Sequence, residues 1–128
     1  MREGLREKKI DPIHDLKVWQ KARVLVKDIY ILTDSFPKRE IYSLTDQMRR
    51  AIISVPFNIA EGHARRSTKE YINFISIASG SLAEVDTQLI LSVDLGYIDE
   101  ASITSIMQEI NILERMLYNL KKSLEEKT

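Results

Sequence analysis

Apolar residues recur at helical spacing in four separate stretches of the chain. The first runs from about Asp15 to Asp34 and puts Leu16, Trp19, Ala22, Val26, Ile29 and Tyr30 on one face. Asp15 is placed to cap it, because its carboxylate can accept one of the backbone N–H groups that a helix start leaves unpaired. Phe36-Pro37 ends it, since proline disfavours α geometry in the residue before it. The second stretch, about Ser43 to Ala64, carries a stripe of Leu44, Met48, Ala51, Ile52, Val55 and Ile59. Pro56 lies inside it and predicts either a kinked helix or two shorter ones, because its ring crowds the Ile52 carbonyl and offers no N–H. Ser67-Thr68-Lys69-Glu70 reads as a capping box that opens the third stretch, with Tyr71, Phe74, Ile75, Ala78, Leu82, Val85 and Leu89 along one side. Gly96 is the expected C-terminal cap. Asp99 is placed to cap the fourth, where Ile103, Ile106, Ile110, Leu113, Leu117, Leu120 and Leu124 form a heptad seam.

Short connections between four such helices favour antiparallel neighbours, so the expected fold is an all-α, up-down-up-down four-helix bundle forming one domain over residues 1–128. Residues 1–12 are expected to be loosely ordered. Ala78-Ser79-Gly80-Ser81 is a small-residue patch inside the third helix, and Gly80 there suggests close approach of another backbone.

The second helix does not fit a monomer. Opposite its core stripe lie Ile53, Phe57, Ala60 and Ala64, a second apolar seam. Between the seams run Arg50, Ser54, Asn58, Glu61 and Arg65. A helix that is apolar on two faces needs cover on both, and a bundle of this size covers one. Self-association is the expected remedy, with Ile53, Phe57, Ala60 and Ala64 at the interface. The alternative is that the Pro56 kink turns the second seam into the chain's own core.

Composition narrows the chemistry. The 128 residues include no cysteine, which removes disulfides, thiolate metal sites and a cysteine nucleophile. Four Gly and three Pro are too few for the turns of an all-β protein. The charged N-terminus lacks the apolar run of a signal peptide, and no stretch is apolar enough to span a membrane, so a cytoplasmic protein is expected. Net charge is zero but unevenly placed: residues 1–75 hold 15 Lys+Arg against 10 Asp+Glu, and residues 76–128 hold 4 against 9. Such a division can mark a surface for an anionic partner or simple attraction between helices.

DLKVWQKA (15–22), LTDQMRRAIISVPFNIAEG (44–62), KEYINF (69–74), ASGSLAEVDTQL (78–89) and DLGYI (94–98) resemble the bacterial four-helix bundle family, also called the 23S rRNA intervening-sequence protein family. The resemblance spans about residues 15–120. It implies an antiparallel four-helix bundle assembled as a ring-like homopentamer. Some members are encoded inside rRNA intervening sequences, and related proteins serve as accessory factors of diversity-generating retroelements, contacting a reverse transcriptase and nucleic acid. The family offers no catalytic residues to carry over.

An enzyme is not expected. Glu-x-x-His pairs, phosphate-binding glycine loops and nucleophile elbows are all absent, and His14 and His63 stand alone, so neither a metal nor a cofactor is expected. Glu61 and Glu84 are candidates for buried carboxylates, although pairing with arginine is the simpler account. Trp19 with Tyr30 could stack a base, but Trp19 falls on the core stripe. Nucleic-acid contact has a concrete candidate set in Arg49, Arg50, Arg65, Arg66 and Lys69, which flank the ends of the second helix and the loop beyond it. The functional expectation is a non-catalytic, homo-oligomeric binding or scaffold protein contacting structured RNA or DNA through a repeated basic patch. The alternative is a scaffold or accessory factor for a partner enzyme, without nucleic-acid contact.

Overall fold

A computed structural model describes residues 12–128, so the expectation for the N-terminal segment lies, for residues 1–11, outside the described residues. Four helices carry the fold: α1 (Lys17–Thr33), α2 (Leu44–Ala64), α3 (Thr68–Asp94) and α4 (Glu100–Glu125). Single 3-10 turns at Ile13–Asp15 and Lys38–Glu40 precede α1 and α2. No described helix is long and apolar enough to cross a membrane.

The ends of α3 and α4 follow local rules closely. The Ser67 hydroxyl accepts the Glu70 N–H at 3.4 Å, and the Asp99 carboxylate accepts the Ser102 N–H at 2.9 Å. At the far end of α3, Gly96 adopts φ +78°, and its N–H and that of Tyr97 bond to the carbonyls of Val93 and Ser92. That is the paired closure in which a left-handed glycine satisfies two orphan carbonyls. The start of α1 departs from expectation. Asp15 closes the preceding 3-10 turn instead of capping, and Leu16 occupies the cap position with no side-chain bond.

The core stripes of α2, α3 and α4 are those the periodicity marks. Met48, Ile52, Val55 and Ile59 meet Ile75, Leu82, Val85 and Leu89 and the α4 residues Ile110, Leu113 and Leu117, all fully enclosed. In α1 the buried line is Val18, Ala22, Leu25 and Ile29, rotated from the expected face. Leu16, Trp19 and Val26 pack half-buried against the edge of the core. Pro56 does not divide α2, which runs unbroken through it with the ring buried. The Ile52 carbonyl there faces a residue with no N–H to donate.

Each helix packs against two neighbours in the cyclic order α1, α2, α3, α4. The pair α2–α3 is the closest and α1–α4 the loosest. Between α2 and α3 the Ser54 and Ser81 hydroxyls lie 2.8 Å apart, and the Asn58 amide donates to both the Ser54 hydroxyl and its carbonyl at 2.8 Å. The close approach expected at Gly80 falls instead at Gly62. A Cβ on Gly62 would meet Tyr71 Cδ1 at 2.8 Å and Phe74 Cβ at 2.9 Å, whereas one on Gly80 would meet nothing within 4 Å. Small size at position 62 therefore sets the α2–α3 spacing.

Gly62→Ala is expected to lower stability by about 1–3 kcal/mol despite the helix-propensity gain, because the buried Tyr71 ring must shift. Urea unfolding followed by circular dichroism checks this.

Candidate functional site

The junction of α2 and α3 gathers three of the five candidate cations. Arg65 is the first residue past α2, in extended geometry. Its guanidinium lies over the Phe74 ring at 4.9 Å, with Nη2 3.3 Å from Glu61 Oε1 and Nη1 3.5 Å from Glu70 Oε1. Of the reciprocal capping box, only the Ser67 half takes the expected form, since the Glu70 carboxylate turns to Arg65. Arg65 is thus held in place yet 41% exposed. Arg66 and Lys69 beside it are exposed. Lys69 occupies the first turn of α3, where the helix dipole disfavours a cation, so helix stability does not account for it.

The other two candidates lie elsewhere. Arg50 is 80% exposed and pairs with Asp46 at 2.9 Å, in the favourable order one turn apart. Fourteen residues of α2, roughly 22 Å of helix, lie between it and Arg65, so one chain does not join them into a patch. Arg49 turns inward. Its Nε donates to the buried Thr33 hydroxyl at 2.8 Å, and its Nη2 donates to the Tyr30 carbonyl at 3.2 Å and to Asp34 Oδ1 at 3.0 Å. The same group covers the Tyr30 ring at 4.5 Å. Arg49 therefore clamps α2 to the end of α1, where a cation meets the negative pole of the helix, and it is removed from the phosphate-binding set.

The second apolar seam is only partly covered by the described residues. Phe57 is 71% exposed, Ala64 is exposed, and Ile53 and Ala60 are half-buried. The kink alternative, in which this seam joins the core, is not what the structure shows at Phe57. Residues of α3 extend the face: Phe74, expected on the core side, is half-buried, Gly80 is exposed, and so are Ile77 and Ala83, which the sequence reading passed over. Their signal was an outer heptad, Ile77, Gly80, Glu84, Thr87 and Leu91, hidden behind the stronger inner one.

The carboxylates and aromatics serve the fold. Glu61 and Glu84 are exposed, so neither is a buried carboxylate, and Glu61 pairs with Arg65 as the simpler account has it. Hydrogen bonds from the Ser43 hydroxyl and then the Tyr97 phenol hold the Glu40 carboxyl below its usual range. The Ser102 hydroxyl and N–H do the same for Asp99. Burial, reinforced by the charge of Asp86, pushes the Glu114 carboxyl up. Trp19 carries Arg23 over its ring at 5.7 Å and His14 at its edge, so it is no open stacking platform. His63 lies edge-on to Tyr71. Among the described residues no group of three or more acidic or histidine side chains could hold a metal.

Fold and surface together define an all-α, four-helix protein whose described residues expose a cationic corner and an apolar face. The chain belongs to the 23S rRNA-intervening sequence protein family, whose model matches residues 14–119. A comparison with curated proteins finds no match.

Arg49→Ala is expected to cost about 1.5–3 kcal/mol, with Arg49→Lys recovering only part, because lysine cannot reproduce the forked donors. Chemical denaturation of the three proteins measures it. Glu114→Gln has the opposite sign. With the folded pKa raised, the native state binds the proton more tightly than the unfolded chain, so stability is lost as pH rises from about 4.5 through the folded value. The substitution should add up to about 0.5 kcal/mol at neutral pH and nothing below pH ~4, read from denaturation at both.

Proposed function

We propose that the protein is a non-catalytic, homo-oligomeric binding protein that contacts structured RNA or DNA through Arg65, Arg66 and Lys69, repeated around a ring of antiparallel up-down-up-down bundles. The observation that carries the reading is the corner itself. One arginine is fixed by an aromatic ring and two carboxylates, and beside it stand an exposed arginine and a lysine in a helix turn that gains nothing from it. Antiparallel packing is supported by paired positions that run in opposite directions, Ser54 with Ser81 and Gly62 with Tyr71 and Phe74. Self-association is supported by Phe57 and by Gly80, a helical glycine whose small size no described residue of its own chain uses. A homopentamer is the size the family resemblance implies.

A second reading has its own observation. At the opposite end of the bundle Tyr42 is 92% exposed, with Ile41 at 51% and Leu95 at 57%. An apolar tip of this kind suits a partner protein, and under this reading the protein is a scaffold or accessory factor that touches no nucleic acid.

Fluorescence anisotropy with labelled structured RNA and duplex DNA, across a salt series, tests the first reading. Tight binding at low salt is expected, with Arg66→Ala/Lys69→Ala lowering the log–log salt slope by about 2 per engaged duplex site. Absence of binding at low salt rejects nucleic-acid contact, and binding unchanged in the double variant rejects this corner as its site. Sedimentation velocity giving only monomer at micromolar concentration rejects the assembly.

A further inference from the structure

The loose α1–α4 seam opens an apolar groove of about 610 Å³ on the side of the bundle away from α2 and α3. Val24, Leu25, Ile112 and Met116 line it, with Lys17 and Lys21 toward one end and Asp28 toward the other. Val24 and Ile112 are 59% and 41% exposed there. We propose that this groove is the seat for Phe57 of a second copy of the chain, so that the α2–α3 face of one subunit docks on the α1–α4 groove of the next. The inference rests on the self-association proposed above and names the two surfaces that meet.

Three observations select this occupant. The first is shape. The α2–α3 face presents a projecting aromatic, and the groove is concave and lined by aliphatic side chains and a methionine, which adapts readily to an aromatic ring. The second is height. Arg49 bonds to Tyr30 and Thr33, which fixes the level of α2 against α1. Eight residues along α2 lead from Arg49 to Phe57, and in the antiparallel bundle eight residues back along α1 lead from Thr33 and Tyr30 to Leu25 and Ala22. Phe57 and Val24 therefore stand at one level, so subunits with parallel axes bring them together without sliding. The third is charge. Counting in the same way places Glu61, beside Phe57, level with the Lys17–Lys21 end of the groove. Exposed Arg50 falls near the level of Asp28. Within the chain, Lys21 already pairs with Glu109, Arg50 with Asp46 and Glu61 with Arg65, so the new contacts extend existing pairs.

The two surfaces lie on opposite sides of the molecule and do not resemble each other. Contact between them is head-to-tail, and every subunit both gives a Phe57 and receives one. Such contacts close into a ring when each step carries a fixed rotation, and they cannot produce a two-fold dimer.

A chain free of cysteine allows a direct test. Val24→Cys, Phe57→Cys and the double variant are purified, assembled and treated with oxidant or with a short bismaleimide, then resolved on denaturing gels. The double variant is expected to move mostly into a ladder of covalent multimers, with each single variant remaining at monomer mass. An equimolar mixture of the two single variants, allowed to exchange subunits, should yield covalent dimers. A ladder or dimer from Phe57→Cys alone, which would mean that the face meets itself, overturns the pairing. So does a double variant that sediments as a multimer yet does not cross-link. If the unmodified chain sediments only as a monomer, self-association falls, and this pairing falls with it.

Discussion

Close contact between α2 and α3 is the constraint on which the rest of the structure depends. At Gly62 the two helices come within a distance that any side chain would obstruct, so Tyr71 and Phe74 lie directly on the α2 backbone. A glycine inside a helix costs about 1 kcal/mol relative to alanine, and tight packing around the buried Tyr71 ring offsets it. The same approach presents the Phe74 ring to Arg65. Fixing that guanidinium defines the corner where Arg66 and Lys69 stand. It also leaves the outer edges of both helices, Phe57 and Ile77, facing away from the core.

Polar groups divide between joining helices and ending them. Arg49, Ser54 with Ser81, and Tyr97 with Glu40 join elements far apart in sequence. Ser67, Asp99 and Gly96 end helices by local geometry. Arginine shows both sides of this economy. Arg49 commits three donor contacts to α1, whereas Arg50, its neighbour in sequence, points to water one helical step away. A rotation of 100° per residue is enough to assign adjacent identical side chains to different tasks.

That contrast explains how much could be read from the chain before its structure was known. Helix number, the α3 and α4 caps, and the stripes of α2, α3 and α4 all follow from local spacing, and each was legible. The α1 face was not, because apolar residues at 16, 18, 19, 22, 24, 25 and 26 fit more than one stripe, and only contact with two neighbouring helices selects among them. Glycine roles were exchanged for the same reason: whether a missing side chain is used depends on what lies across from it, and Gly62 and Gly80 look alike in sequence. The candidate cations were chosen by their place at the ends of α2 and in the loop beyond it, and only tertiary hydrogen bonds reveal that Arg49 turns inward. That Phe57 lies off the core stripe was legible because two apolar seams on one helix are visible on a wheel, and its ring is exposed.

The weak junction between the first and last helices has a dynamic consequence. In a cycle of four helices, the least-packed seam is where partial opening exposes the least new apolar surface. Thermal breathing of a lone subunit should therefore start by α1 and α4 separating, with α2 and α3 still docked. Backbone amides along α1 and α4 would then trade their hydrogens for deuterium sooner than those at the Gly62 crossing.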